Sequence, residues 1–439
     1  MNDLFEHAPV PKAYMQLALP VVIGMVASMI YNLADTFFIA QTGNADLVAG
    51  VALGTPVFSF MLALGDIFGL GGSALISRMM GAHDYQKVKR ASSFCFYAAI
   101  VLSLLVTALM LAFERPILGI LGATASTRGY AGSFYRMLAI GAVFIIVSLV
   151  PGNIIRTEGL AKQSMIATAA GCALTIILDP IFLFGLHWGA TGVGLANVIG
   201  YMLNTGLLVW FTMSKSDYLS VVPKLAHVDT KAFWAIVAIG IPASLTNFMQ
   251  SFGIALLNSH LAHYGSDAVA AMGIAQKIYM VVMLVMVGFA FGAQPLIGYN
   301  FGAKNRNRLK AILKYDFKVE IGYALVAAAL LMLFAPQLVA LFMNTPEIVS
   351  LGSLMLRALL MTTPFIGAIL VFTTVFQSTG QSLGALIMAI SRQGVVFFLV
   401  MLVLPLMLGL HGVIFAQAVA DVITFGFGIV VYRRVMRNN

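Results

Sequence analysis

The chain has 439 residues, 61% of them hydrophobic and only 9% charged, against about 25% charged in a typical soluble domain, which excludes a soluble globular protein. The net charge of +9 invites a nucleic-acid reading, but the Lys and Arg sit in short loops between apolar runs, where a membrane-topology signal places them, so no nucleic-acid partner is expected. The two cysteines, Cys95 and Cys172, lie inside apolar runs and read as small buried hydrophobes, with neither a disulfide framework nor a metal site.

Met1 to Lys12 is polar, and no small-residue cleavage site follows the first apolar run, so that run is expected to be retained as a spanning helix. A span needs about 20 residues. Twelve runs are long enough: about 14–40, 46–76, 92–113, 130–155, 164–186, 190–213, 233–262, 267–297, 316–335, 351–376, 382–408 and 411–432. Turn residues punctuate them, as in Gln41-Thr-Gly-Asn44 and Gly81-Ala-His-Asp84. The polar stretch Ser214 to Thr230 falls almost halfway along. Most basic residues fall at one set of run ends: Lys12; Arg78, Lys87, Lys89 and Arg90; Arg156 and Lys162; Lys215, Lys224 and Lys231; Lys304 to Lys314; and Arg433, Arg434 and Arg437. The positive-inside rule then makes both termini cytoplasmic, in a multi-pass protein of the inner membrane, with the basic tail anchored at anionic headgroups.

An internal repeat organises the pattern. Leu19-Pro20 recurs as Ile241-Pro242, and Gln41-Thr-Gly43 parallels His263-Tyr-Gly265, both 222 residues on. Met80-Gly-Ala82 matches Phe301-Gly-Ala303, Arg136 matches Arg357 and Glu158-Gly159 matches Thr379-Gly380, 221 residues on. With six helices per half, the repeats share one orientation. The expected fold is an all-α integral membrane protein, twelve transmembrane helices in two pseudo-symmetric six-helix lobes. Residues 1–213 form the first lobe, 214–230 a cytoplasmic linker and 231–439 the second lobe. Such lobes bind between or within themselves and rock between access states, so a transporter is the favoured class.

Polar residues within the spans carry the functional reading, because a carboxylate at membrane depth costs at least ~2.5–3.5 kcal/mol on insertion scales and faces protein or water. In the first span Gly24, Ser28, Asn32 and Asp35 share a face, with Tyr31 a turn before Asp35. In the fifth, Thr168, Cys172, Thr175 and Asp179 form a second polar stripe, and the sixth brings Asn197, Tyr201 and Asn204 onto one face. Asp35 and Asp179 are expected at similar depth in the outer half, near Asn197. Two carboxyl groups at one depth, with amide and hydroxyl neighbours, make a proton or sodium site; the alternative for Asp179 is a helix-end acid accepting a backbone hydrogen bond. Asp66 reads as a structural hydrogen-bonding residue or a coupling residue, and Lys277 as a carboxylate or substrate partner or a snorkelling side chain. Arg136 and Arg357 are expected to share a structural role, and Asp421 is unassigned. The second half has Leu257 where the first has Asp35, and about Val400 where it has Asp179, which confines the coupling chemistry to the first half.

Leu19-Pro20 with Asn32-Leu-Ala-Asp35-Thr-Phe-Phe, then Ser77-Arg-Met-Met-Gly81, Arg156-Thr-Glu-Gly159 and Leu178-Asp179-Pro180 together resemble the multidrug and toxic compound extrusion (MATE) family, over essentially the whole chain. Its first-lobe acid pair is similar to that of the DinF-type branch, and the second-lobe acids of the NorM-type branch are absent. The resemblance implies export of amphipathic, often cationic, compounds in exchange for protons or sodium, with proton favoured. It places the polar cluster on Asp35, Asn153, Thr175, Asp179 and Asn197, with Tyr31 beside them; a sodium ion would use Asp35, Asp179, Thr175 and Asn197. The implied partners are small amphipathic substrates and membrane lipids, and a monomer is expected. No cofactor beyond the coupling ion is expected. A flippase for lipids or lipid-linked precursors is the competing reading; it calls for basic residues in a central cavity, where Lys277 is the one clear candidate. The helices carry no His-Glu metal motif or nucleophile arrangement, so no enzyme is expected.

Overall fold

The computed structural model describes residues 3–438, apart from the side chains beyond Val435; Arg437, assigned above to headgroup anchoring, therefore has its side chain outside the described residues. Seventeen α-helices follow in order among the described residues: α1 (Val10–Gln41), α2 (Ala45–Ala52), α3 (Thr55–Gly81), α4 (Tyr85–Ala112), α5 (Glu114–Ile120), α6 (Arg128–Ile154), α7 (Ala161–Pro180), α8 (Gly189–Lys215), α9 (Thr230–Leu261), α10 (Ser266–Gly302), α11 (Arg306–Leu333), α12 (Ala335–Ala340), α13 (Pro346–Met361), α14 (Thr363–Thr379), α15 (Ser382–Ile390), α16 (Val396–Leu408) and α17 (Leu410–Asn438). Ten helical stretches are long and apolar enough to cross a membrane, and α13 with α14, bent by 42°, make an eleventh. The remaining expected span, the ninth in chain order, is α11, whose 28 residues are long enough but include Lys310, Lys314, Asp316, Lys318 and Glu320.

The repeat is visible in the backbone of the turns. His83 and Lys304 take left-handed φ values of 57° and 56°, and Gly159 and Gly380 take 84° and 78°. Asp84 caps α4 by accepting from Lys87 N, and Asn305, at the matching position, caps α11 by accepting from Arg308 N. Each cap satisfies one of the first-turn N–H groups that a helix leaves open.

The lobes meet along α3, α9, α10 and the first half of α1, with the closest approaches towards the basic end. A Cβ on Gly81 would lie 1.9 Å from Tyr299 O, and one on Gly302 would lie 2.0 Å from Arg78 O. These two glycines occupy equivalent repeat positions, so one helix crossing is used twice, and no other residue fits in either place. Further along, α1 changes partner. Ala18 and Val22 press on Gly292 and Gly288 of α10, whereas Gly24 faces Met165 and Ser28 faces Cys172 on α7. Pro20 lies inside the helix just before the change, where it removes one intrahelical hydrogen bond and lets the axis bend.

Two segments tie the basic end together. Residues 3–8 run beneath the seam: Arg308 donates to the carbonyls of Phe5 (2.6 Å), Leu4 (3.3 Å) and Ala8 (2.7 Å), and the Tyr299 hydroxyl donates to Glu6 at 2.5 Å. The inter-lobe connection is pinned to the first lobe. Asp217 N donates to Glu158 Oε1 at 2.7 Å, Tyr97 to Val221 O at 3.0 Å, and Tyr218 stacks on Tyr85 at 4.1 Å.

Candidate cation and substrate site in the first lobe

The far half of α1 packs into a groove formed by α7 and α8. That groove exists because Gly171 and Gly200 bring the two helices together: a Cβ on Gly200 would meet Thr175 Oγ1 at 2.0 Å. Thr175, thus held in the interface, donates to Gly171 O at 3.1 Å. Asn197, one turn before Gly200, donates to Val193 O at 3.1 Å, and its Oδ1 accepts from the Tyr31 hydroxyl. Tyr31, Thr175 and Asn197 are all buried. Tyr201 packs edge-on against Phe58 with ring centres 5.8 Å apart, closing the side towards α3.

Asp35 and Asp179 face one another across this groove, side chain to side chain, and both lie within electrostatic reach of Tyr31. Asp179 is fully buried and Asp35 half-buried. Neither oxygen of Asp179, nor Asp35 Oδ1, accepts a hydrogen bond from any described donor. Asp179 therefore does not take the backbone hydrogen bond of a helix-end acid. Ionised carboxylates are acceptors only, so two of them facing each other need a shared proton or a cation between them.

Five of the six polar positions singled out in the sequence, Tyr31, Asp35, Thr175, Asp179 and Asn197, come together here. Asn153 does not. It donates to Leu149 O at 2.8 Å and lies against Gly69 of α3, in the last turn of α6. Asp179 lies 18 positions along α7 from its first residue, roughly 27 Å at 1.5 Å per residue, so the two stand at opposite ends of the lobe.

The remaining charged residues sort by their partners. Asp66 Oδ2 accepts from Asn247 Nδ2 at 3.1 Å, a hydrogen bond between the lobes. Arg136 Nε donates to both carboxylate oxygens of Glu114, at 2.9 and 3.0 Å, and Arg357 donates to Met332 O at 3.1 Å; each ties its helix to the end of the preceding membrane helix or the turn after it. Lys277 is exposed and pairs with no described carboxylate. Asp421 has a full set of partners: Arg392 Nε at 3.0 Å, Gln417 Nε2 at 2.9 Å and Thr362 Oγ1 at 2.8 Å. Arg392, which the hydrophobic pattern concealed, also reaches the Tyr279 hydroxyl at 3.0 Å. It stands in the π-helical turn Ser391–Val395 that breaks the eleventh expected span. Asp316 and Glu320, passed over at the start of the ninth, are fully buried.

Two like-oriented helical lobes, close-packed at one end and with an unpaired acid couple in one of them, define a two-lobed membrane transporter. The MatE family profile matches residues 20–181 and again 242–403, in step with the repeat. The multidrug export protein MepA of Staphylococcus aureus is 34% identical over 418 residues, covering 95% of this chain and 92% of its own. MepA of Staphylococcus saprophyticus is 30% identical over 419 residues, with the same coverage. Among solved structures, an outward-facing MATE family transporter superposes with a TM-score of 0.92 at 26% identity, over 99% of this chain and 98% of that one. A MOP superfamily transporter from Pyrococcus furiosus matches with the same score and identity, over 99% and 97%. The chain belongs to the MATE family of membrane transporters.

Proposed function

We propose that this protein is a proton-coupled antiporter that exports amphipathic, often cationic, compounds. The observation that carries the reading is the Asp35–Asp179 couple, two facing carboxyl groups whose buried oxygens find no donor in the surrounding protein. One proton satisfies such a couple by turning an acceptor into a donor. Asn197 Oδ1, an oxygen that a sodium ion at this site would use, already accepts from the Tyr31 hydroxyl, which supports a proton over sodium. In the arrangement seen here, with the lobes sealed towards the basic end, protonation neutralises the couple and lets α1 close on α7 and α8, displacing a bound cation. Deprotonation towards the other side restores a negative site for the next one. The basic loops support a cytoplasmic location for that sealed end and for both termini, by the positive-inside rule. The protein acts as a monomer on small amphipathic substrates reaching it from the lipid or the cytoplasm. That its relatives are named multidrug export proteins supports this substrate class.

The test is efflux from cells expressing Asp35→Asn or Asp179→Asn. Both variants are expected to reach the membrane in normal amounts and to confer no more resistance to cationic amphiphiles than empty cells. Resistance equal to the unmodified protein would sink the mechanism.

A further inference from the structure

The seam between the lobes holds a second pair of buried carboxyl groups. Asp316 and Glu320 stand four residues apart on α11, so their side chains share a face, and neither is exposed. The Tyr14 hydroxyl of α1 donates to Asp316 Oδ1 at 2.8 Å. Asp316 Oδ2 and both Glu320 oxygens accept no side-chain hydrogen bond among the described residues; the donor beside Glu320 is the backbone N–H of Ala290. The titratable groups that face the pair are all phenols. Tyr14 approaches from α1, Tyr315 and Tyr323 belong to α11 itself, and Tyr432 approaches from α17. α14 carries no ionisable residue, and no ionisable group of α10 or α13 is among those found to act on the pair. Lys314 and Lys318 lie on the exposed face of α11. Two ionised carboxylates without a cation in such surroundings are unsustainable, because burial and mutual repulsion act against the same charge.

We propose that Asp316 and Glu320 form a second proton-binding site, read by α1 through Tyr14. A proton on one acid supplies the donor that the pair otherwise lacks. No group of three acidic, histidine or cysteine ligands occurs among the described residues, and the sodium dependence of the titration below separates a proton from a sodium ion at the pair. The site lies where the near half of α1 rests on the second lobe. Parting of the lobes there withdraws the Tyr14 hydroxyl and opens the pair to solvent at the basic end, where a proton is given to water or taken from it. Closure makes the pair dry again. The two acid pairs thus bear on opposite halves of one helix, with Pro20 between them.

The test is an infrared pH titration of the purified full chain carrying Asp35→Asn and Asp179→Asn, which removes the first pair and makes the result independent of how that pair functions. A protonated-carboxyl band is expected at neutral pH, lost as the pH rises, and absent when Asp316→Asn and Glu320→Gln are added. The titration is expected to be indifferent to sodium. A band and midpoint unaltered by those two substitutions, or a midpoint that follows sodium concentration, would overturn the proposal. Should the fourfold variant fail to fold, Tyr14→Phe keeps both acids and is expected to move the midpoint; an unmoved midpoint counts against the site.

Discussion

Asp179 and Asp421 are both fully buried, and their surroundings give them opposite work. Asp421 is held by Arg392, Gln417 and Thr362, a closed network whose loss leaves a charge stranded. Arg392→Met alone is therefore expected to destabilise the protein by about 3–5 kcal/mol, and adding Asp421→Leu should restore most of that; thermal unfolding in detergent, monitored by light scattering, checks both. Asp179 has no partner but Asp35, so its removal should spare stability and abolish coupling. Tyr31→Phe removes the hydrogen bond to Asn197, worth about 1 kcal/mol, and is expected to weaken transport several-fold without abolishing it, as initial efflux rates would show. Asp35 and Asp179 were legible in the sequence because each stands in an apolar run at matching depth, and the bland readings, a solvated interface acid and a helix-end acid, account for either one alone but not for the pair. Asp316 and Glu320 were not. Lysines at 310, 314 and 318 alternate with them, and the mixture reads as the solvated start of a span until the helix shows the lysines on one face and the acids on the other.

At the level of helices, the seam depends on backbone-to-backbone approach. Gly81→Val and Gly302→Val would each drive methyl groups into a carbonyl of the facing helix, a strain of about 1–3 kcal/mol by analogy with overpacked cores. Both are expected to loosen the sealed end. In a chain with Cys95 and Cys172 replaced, a cysteine at the buried position of Ser378 reports this by reacting faster with a water-soluble maleimide; an unchanged rate would show that the seam does not rest on these glycines. The caps make a smaller, separable contribution. Asp84→Ala should cost about 1 kcal/mol, whereas Asp84→Asn, which can still accept from Lys87 N, should cost little. Span positions followed from hydrophobic run length, but breaks within spans did not. The second expected run is divided at Leu53 and Gly54, which leave its apolar composition unbroken, and the eleventh passes through a π-helical turn at Ser391–Val395, where the polar Ser391-Arg-Gln-Gly394 was absorbed into an otherwise apolar run.

The whole molecule is two copies of one plan with chemistry added unequally. Matching left-handed residues, caps and close-approach glycines recur about 221 residues apart, which is why a handful of weak motif matches sufficed to anticipate two lobes. Asn153 shows the limit of that reasoning: it carries a residue type found at the site but sits at the wrong end of its lobe, a fact that depends on helix direction and depth. In the second lobe Leu257 stands buried at the place of Asp35, so a hydrocarbon fills what is a charged position in the first. The central claim is that the first-lobe couple exchanges a proton for substrate, and reconstituted vesicles loaded with a fluorescent cationic amphiphile test it most directly. A pH gradient alone should drive its movement, a sodium gradient at matched pH should not, and Asp35→Asn or Asp179→Asn should reduce pH-driven movement to the rate of empty vesicles. Movement driven by sodium alone, or undiminished in both variants, would contradict the account.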